Sequence, residues 1–458
     1  MELRLTEIAS ALGSNLQSDK IITKISTDSR DVDENTLFFA IKGERFDAHD
    51  FAKQVEESGA AALVCHKKVD VSCPVIYVDD TKKALLQLSS YYRNKFQDLI
   101  LIGITGSVGK TTTKEMIACV MEQKYKTLKT EGNFNNEIGM PKTLFRLDKD
   151  IECAVIEMGM SDFGEISVLT NAAMPNGAVI SNIGVSHIEN LGSRDGIFKA
   201  KMEMIEGLKK GGPLVLNGDD DKLSTVENSD FNVIFYGIEN ENCHVRATDI
   251  TEYDLHTDFT VICKEGKQKI TLPTVGIHNV YNALAAISIG LCFGVTLESA
   301  AKGLKDYVPS GMRQRIKKVG NITFIEDCYN ASPDSQKAAL NSLCTVAKAR
   351  KIAVLGDMLE LGSYTETAHR TVGEYAAQKN IDLLYTLGES SKYMADSARK
   401  CGLKNVFEYN DKECLANDLL SELKDGDTVI FKASRGMKLE EVFNIIYEKR
   451  TRVRISQP

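Results

Sequence analysis

The run Leu101-Ile102-Gly103-Ile104-Thr105-Gly106-Ser107-Val108-Gly109-Lys110-Thr111-Thr112-Thr113 limits what this chain can fold into more than any other part of it. Leu99 to Ile104 is short, apolar and β-branched, the composition of a central parallel strand covered on both faces. Glycine then interrupts it. Gly106 and Gly109 let the backbone curl so that N–H groups converge on an anion, and a helix opening near Gly109 adds the positive end of its dipole. Gly106, Ser107, Val108, Gly109, Lys110, Thr111 and Thr112 then form a cradle for a nucleotide's phosphates, with Lys110 reaching the β- and γ-phosphates and the Thr111 hydroxyl on Mg²⁺. The common pattern has a glycine five residues before Gly109, where this chain has Ile104, so the loop is the shorter G-x-x-G-K-T form.

At 458 residues the chain exceeds one ordinary core, and about 150 residues per domain predicts three domains. A net charge of −8 leaves no basic stripe to displace counterions from a nucleic acid, so no nucleic-acid partner is expected. The eleven cysteines include no C-x-x-C pair, and Cys119, Cys153 and Cys292 lie in apolar runs. They read as reduced core residues of a cytoplasmic protein. No apolar run approaches the roughly 18 residues of a membrane span, and the N-terminus lacks a signal-peptide core. No membrane association is expected.

Residues 1–97 read as a small α/β domain. Leu5 to Leu12 has helical periodicity, Thr36 to Gly43 is a strand closed by glycine, and Asp47-Ala48-His49-Asp50-Phe51 opens a helix. Ser29, Arg30 and His49 fit turn and cap chemistry or ligand contact. Residues 98–310 form the phosphate-loop domain. In it, Thr130 to Pro141 is polar and rich in amides, which makes Asn135 and Asn136 candidates for hydrogen bonding to a ligand. Strand Cys153–Ile156 delivers Glu157, and the strand Ala178–Ile183 delivers His187; both fall where Mg²⁺-associated groups belong in such a sheet, although a histidine there also suits capping.

A helix predicted from about Asp195 to Lys210 carries an anomaly. Ile197, Met204, Ile205 and Leu208 form one apolar stripe, and Lys201 falls in its middle. Such a lysine snorkels outward, is deprotonated by burial, or is chemically modified. Further on, Gly276 to Ala286 begins a helix where Asn279 either pairs with adenine or caps the helix. Val308-Pro309-Ser310-Gly311-Met312-Arg313 reads as a linker into a third α/β domain, residues 311–458. Its strands end in polar groups, among them Asp327, Tyr329, Asn330, Ser434 and Arg435, and ligands bind at the carboxyl ends of parallel strands.

With these residues laid out, the chain resembles the Mur ligases over essentially its whole length. The resemblance rests on Gly103 to Thr112, Gly132 to Pro141, Glu157-Met158-Gly159-Met160, Gly184-Val185-Ser186-His187, Ala200-Lys201, Gly276 to Asn282, Asp327 to Ala331, and Lys432-Ala433-Ser434-Arg435, in the family's order. It implies three α/β domains: a small N-terminal domain, a central P-loop mononucleotide-binding domain with a mostly parallel sheet, and a C-terminal Rossmann-like domain. It also implies a monomeric, ATP- and Mg²⁺-dependent amide ligase of peptidoglycan synthesis, acting on UDP-MurNAc-tripeptide and D-Ala-D-Ala.

Carried over residue by residue, the resemblance makes Lys110, Lys201 and His187 catalytic, with Lys201 carbamylated to an anionic oxygen donor. Thr111, Glu157, His187 and Lys201 become metal-associated, and Asn279, Arg313 and Asp327 join the phosphate loop as ATP contacts. Asp28-Ser29-Arg30 and the Phe39–His49 stretch, with Gly43, resemble a UDP-binding element. Asn135, Asn136, Tyr329, Asn330, Ser434 and Arg435 complete the expected substrate contacts. A folylpolyglutamate-type ligase or another Mur-type ligase is the alternative, and the absence of an Asp-Asn-Pro-Arg signature weighs against the tripeptide-forming member.

Overall fold

The computed structural model describes residues 1–43, 45–309 and 311–455, with side chains to residue 450. Glu44, in the Phe39–His49 stretch, and Ser310, in the expected linker, lie outside the described residues. The chain divides into two compact units, one of Met1–Thr105, Tyr125–Ala178 and Met202–Gly212, the other of Gly106–Lys124, Val179–Lys201 and Pro213–Pro458.

In the first unit, four parallel strands, Lys24–Ser26, Thr36–Phe39, Ala62–Cys65 and Val75–Tyr77, lie side by side in chain order. Phe38, Val55, Leu63 and Cys65 close over one face without exposed area. Three more parallel strands run in the order Ile100–Thr105, Cys153–Glu157, Thr127–Lys129. Every residue of Cys153–Glu157 is buried, as a continuous apolar run requires, and Glu157 ends that run.

The second unit opens with the helix Lys110–Met121. Pro213–Asn217 and Asn232–Gly237 pair in parallel, and Val245–Glu252, Thr257–Cys263 and Gly266–Leu272 continue as an antiparallel meander. The helices Ile277–Cys292 and Leu297–Lys305 follow. A six-stranded sheet then runs Arg315–Val319, Ile322–Glu326, Thr428–Lys432, Lys351–Gly356, Leu383–Leu387, Val406–Tyr409, parallel apart from the first strand. Apolar clusters cover both faces, one holding Leu340, Leu355 and Met394, the other Phe324, Val429 and Phe431.

Two sequence expectations change. The helix expected to reach Lys210 is α-helical only over Arg194–Met202 and tightens into a 3₁₀ turn at Glu203–Glu206. The Thr170 hydroxyl donates to the Met204 carbonyl at 3.0 Å, and Gly207 packs where a Cβ would stand 2.2 Å from the Thr170 carbonyl oxygen. That packing outweighs the helical periodicity of the sequence. All eleven cysteines are free, and Cys153 is buried, but Cys119 is half-buried and Cys292 is exposed at the last position of its helix. Among the described residues no helix is long and apolar enough to cross a membrane.

Candidate active site

The phosphate loop is shaped by close packing around its two glycines. A Cβ on Gly106 would stand 1.9 Å from the Ser181 hydroxyl, so no side chain fits there. Gly109 has φ +79°, the left-handed region, and initiates the helix Lys110–Met121. Asn182 clamps the loop from one side. Its carbonyl accepts the Ser107 N–H (3.1 Å), its Oδ1 accepts the Val108 N–H (2.9 Å), and its Nδ2 donates to the Val108 carbonyl (2.9 Å). The sequence reading turned those N–H groups toward an anion; the structure commits them to Asn182. This end of the helix Lys110–Met121 carries the positive end of its dipole. Lys110 Nζ rests on the Gly106 carbonyl at 2.7 Å, Thr111 is buried, and Thr112 is half-buried beside it.

Behind the loop, the Thr113 hydroxyl donates to Asn282 Oδ1 (3.0 Å), and Asn282 Nδ2 donates to Asn279 Oδ1 (3.1 Å). Asn279 is buried, and its own Nδ2 donates to the Val275 carbonyl and to Gln314 Oε1, both at 2.7 Å. The helix N-cap is Gly276, not Asn279. His278 lies next to this network, and burial pushes its imidazole down to about 4 against the opposing pull of the Asp327 carboxylate. A cavity of about 510 Å³ is lined by Glu252, Ile277, His278, Asp334, Lys337 and Asn341. Burial raises the Asp334 carboxyl there.

Lys201 is 1% exposed, which excludes snorkelling. Burial, reinforced by the Lys110 charge, holds its amine far below the usual lysine range, and among the described residues no carboxylate pairs with it. His187 has φ +63°, and its Nδ1 meets Glu360 Oε2 at 2.9 Å. Glu360, which sequence reasoning passed over, itself has φ +63°.

The carboxyl ends of the six-stranded sheet converge. Lys432, 4% exposed, donates to Asp327 Oδ2 (2.8 Å), the Asp327 carbonyl (3.3 Å) and the Asn330 carbonyl (3.1 Å). Asp327 Oδ1 accepts the Gln314 N–H at 3.3 Å, and the Arg313 guanidinium lies 4.0 Å above the Tyr329 ring. The buried Ser434 hydroxyl accepts the Leu359 N–H at 2.9 Å. Arg435 points outward and pairs with Glu440 at 2.6 Å. Asn330 is exposed, and its Oδ1 accepts the N–H of Ala331.

In the first unit, Glu157 is 3% exposed and its Oε1 accepts the Asn135 Nδ2 at 2.9 Å; its N–H donates to the Thr130 hydroxyl. Asn136 caps the turn into Gly139 through its Oδ1. Arg30 forks onto its neighbour Asp28 at 2.9 and 2.7 Å and is 84% exposed, with Ser29 half-buried between them. The exposed Gly43 donates its N–H to the Phe46 carbonyl. His49 is enclosed, with Nδ1 on Asp47 Oδ1 (2.6 Å) and Nε2 accepting the His66 N–H (3.1 Å). Both of its ring nitrogens are thus engaged inside the fold.

Family models match in three consecutive segments: the Mur ligase family catalytic domain at residues 21–93, the Mur ligase middle domain at 104–290, and the Mur ligase glutamate ligase domain at 312–435. The UDP-N-acetylmuramoyl-tripeptide–D-alanyl-D-alanine ligase of Bacillus subtilis is 41% identical over 434 residues, covering 93% of this chain and 94% of the relative. A solved structure of MurF from Acinetobacter baumannii superposes with a TM-score of 0.92 at 30% identity, covering 98% of this chain and 99% of its own. MurF from Thermotoga maritima, solved in complex with ADP, gives a TM-score of 0.86 at 28% identity over 94% of this chain and 98% of its own.

Proposed function

This chain belongs to the Mur ligase family, and from that premise we propose that it joins D-alanyl-D-alanine to UDP-N-acetylmuramoyl-tripeptide at the expense of ATP. A carboxylate of the tripeptide takes the γ-phosphoryl group, giving an acyl phosphate and ADP. The amine of D-alanyl-D-alanine then attacks the acyl carbon, loses a proton, and expels phosphate to leave UDP-MurNAc-pentapeptide. The reaction belongs to peptidoglycan precursor synthesis. The observation that carries this reading is 41% identity to a ligase of that name over nearly all of both chains.

The fold has the three-domain α/β architecture of the ligases it superposes on. We assign the boundaries to 1–97, 98–310 and 311–458; each family-model segment falls inside one of these spans, which supports the division.

The residues present suit ATP. Gly106 lets the loop pack directly against Ser181, and the helix that begins after Gly109 turns the positive end of its dipole to the loop. Lys110 supplies positive charge where two anions must approach. Arg313, Asp327 and Asn279 are the remaining nucleotide contacts in this reading. Mg²⁺ would be held through the oxygen donors Thr111 and Glu157, with His187 and Lys201 assigned by the motifs in which they stand, and when bound it screens phosphate charge. Carbamylation would give the buried Lys201 an anionic oxygen in place of an amine its surroundings keep neutral. Ser29, Arg30, Gly43, Asn135 and Asn136 are assigned to the UDP-tripeptide. His49 is assigned to shaping that element, because both of its ring nitrogens are taken. Tyr329, Asn330, Ser434 and Arg435 are assigned to the incoming dipeptide. The protein acts as a cytoplasmic monomer in this reading, which size-exclusion chromatography checks.

The test is phosphate release from ATP and Mg²⁺ with UDP-MurNAc-tripeptide, with and without D-alanyl-D-alanine. Release that needs both substrates, matched by a UDP-pentapeptide product, is expected; release indifferent to both rejects the ligase. Lys110→Ala should lower the rate by about a thousandfold, the scale of losing a charge aimed at the reacting phosphate.

A further inference from the structure

Gln314 stands one residue beyond Arg313 with φ +50°, a backbone conformation that strains any residue carrying a Cβ. Strain of this kind persists only where the surroundings fix it. Here they do so through both ends of the side chain. Oε1 accepts from Asn279 Nδ2 at 2.7 Å, and Nε2 donates to the Ser342 hydroxyl at 2.7 Å. The Gln314 N–H meanwhile points at Asp327 Oδ1 (3.3 Å). One side chain therefore ties the helix Ile277–Cys292 to the helix Pro333–Val346 at the turn where the Arg313 guanidinium is laid on the Tyr329 ring. Oε1 also accepts from the Thr274 hydroxyl at 3.4 Å, so it is the polar partners of the side chain that keep a glutamine in this left-handed turn.

We infer that Gln314 is a positioning residue for nucleotide binding: its bridge between Asn279 and Ser342 holds the strained turn that presents Arg313. The inference rests on the assignment of Arg313 to the nucleotide. A shorter side chain cannot span both partners, and without the bridge the turn relaxes toward negative φ and carries the guanidinium off the Tyr329 face.

The test measures ADP affinity by titration calorimetry on the full chain, alongside thermal unfolding, for the parent, Gln314→Ala, Gln314→Gly, Arg313→Ala and the double variant Arg313→Ala/Gln314→Ala. Gln314→Ala is expected to weaken ADP about tenfold. Gln314→Gly, which adopts the left-handed turn without strain, keeps the unfolding midpoint at or above that of Gln314→Ala and still weakens ADP, which separates positioning from folding. In the Arg313→Ala background, Gln314→Ala should change ADP affinity less than twofold. ADP binding within twofold of the parent in both single Gln314 variants, or full additivity with Arg313→Ala, overturns the inference. An Arg313→Ala chain that binds ADP as the parent does overturns the nucleotide assignment of Arg313 and this inference with it.

Discussion

Two lysines are buried to nearly the same degree in different parts of the molecule, and they stand in opposite surroundings. Lys432, at the end of the strand Thr428–Lys432, has a carboxylate and two carbonyl oxygens on its ammonium. Lys201, on the helix Arg194–Met202, is 1% exposed and has another cation, Lys110, as the charge that acts on it. Burial alone thus does not tell what a charged residue does. A buried cation with its hydrogen bonds made is a strut, whereas one without them must give up its proton or be changed chemically.

The comparison makes the largest effect fall on the strut. Lys432→Met keeps the volume but leaves the Asp327 carboxylate without its cation, and the Asp327 and Asn330 carbonyls without a donor. Breaking one side of a buried pair costs about 3–5 kcal/mol, readable in urea unfolding. The loss should be accompanied by weaker ADP binding, since Asp327 stands in the nucleotide set. A loss under about 1 kcal/mol would place Lys432 in the class of exposed pairs.

The same substitution at the other lysine should have the opposite sign. Lys201→Met removes an amine that must be desolvated without compensation, so in bicarbonate-free buffer the variant should unfold about 2 kcal/mol later than the parent while losing ligase activity. Adding bicarbonate should narrow that gap, because a carbamylated parent carries an anion beside Lys110. A gap indifferent to bicarbonate would leave deprotonation, not modification, as the answer to the buried charge.

How far the sequence carried these distinctions depends on how local they are. The phosphate loop was legible because its chemistry is written in contiguous glycines, a lysine and a threonine, and the parallel strands because fully buried strands read as unbroken apolar runs. Lys201 was visible as an anomaly for the same reason, since helical spacing predicts which face it shares. Its partners were not visible, and neither were those of Lys432. Asn182, Gln314 and Glu360 reach the site from stretches that look ordinary in one dimension, and only the folded chain sets Gln314 against Asn279 or Glu360 against His187. For His49 the sequence left cap chemistry and ligand contact open, and only the folded chain sets the His66 N–H on its second nitrogen.

His278 sharpens the comparison by pH. It lies on the Lys201 side of the divide, a basic group whose surroundings favour the neutral form, despite the nearby Asp327. The unfolded chain takes up a proton near pH 6.5, and the folded chain only near about 4. Stability from this group is therefore complete above 6.5 and declines as pH falls from 6.5 toward 4. The full shift corresponds to about 3 kcal/mol, and the partial exposure of the ring reduces the expected loss to about 2. His278→Gln should flatten the parent's stability profile in that window. An unchanged slope would assign the acid sensitivity to carboxylates elsewhere.

The smallest effect is expected at His187 and Glu360, which are paired like Lys432 but less enclosed, with side chains 21% and 65% accessible. If burial is what gives a pair its weight, Glu360→Ala should cost no more than about 1 kcal/mol. The backbone must be separated from the pair, because Glu360 has φ +63°, where a Cβ costs about 1 kcal/mol that glycine does not incur. Glu360→Gly loses the same ion pair but relieves that strain, so it should be about as stable as the parent and about 1 kcal/mol more stable than Glu360→Ala. Urea unfolding of the two variants side by side resolves a difference of that size. If both lose more than about 2 kcal/mol, the pair carries the weight of a buried one and solvent exposure is not what divides these sites. If the alanine variant matches the parent and the glycine variant rises above it, the left-handed backbone is the costly feature and the ion pair carries no weight.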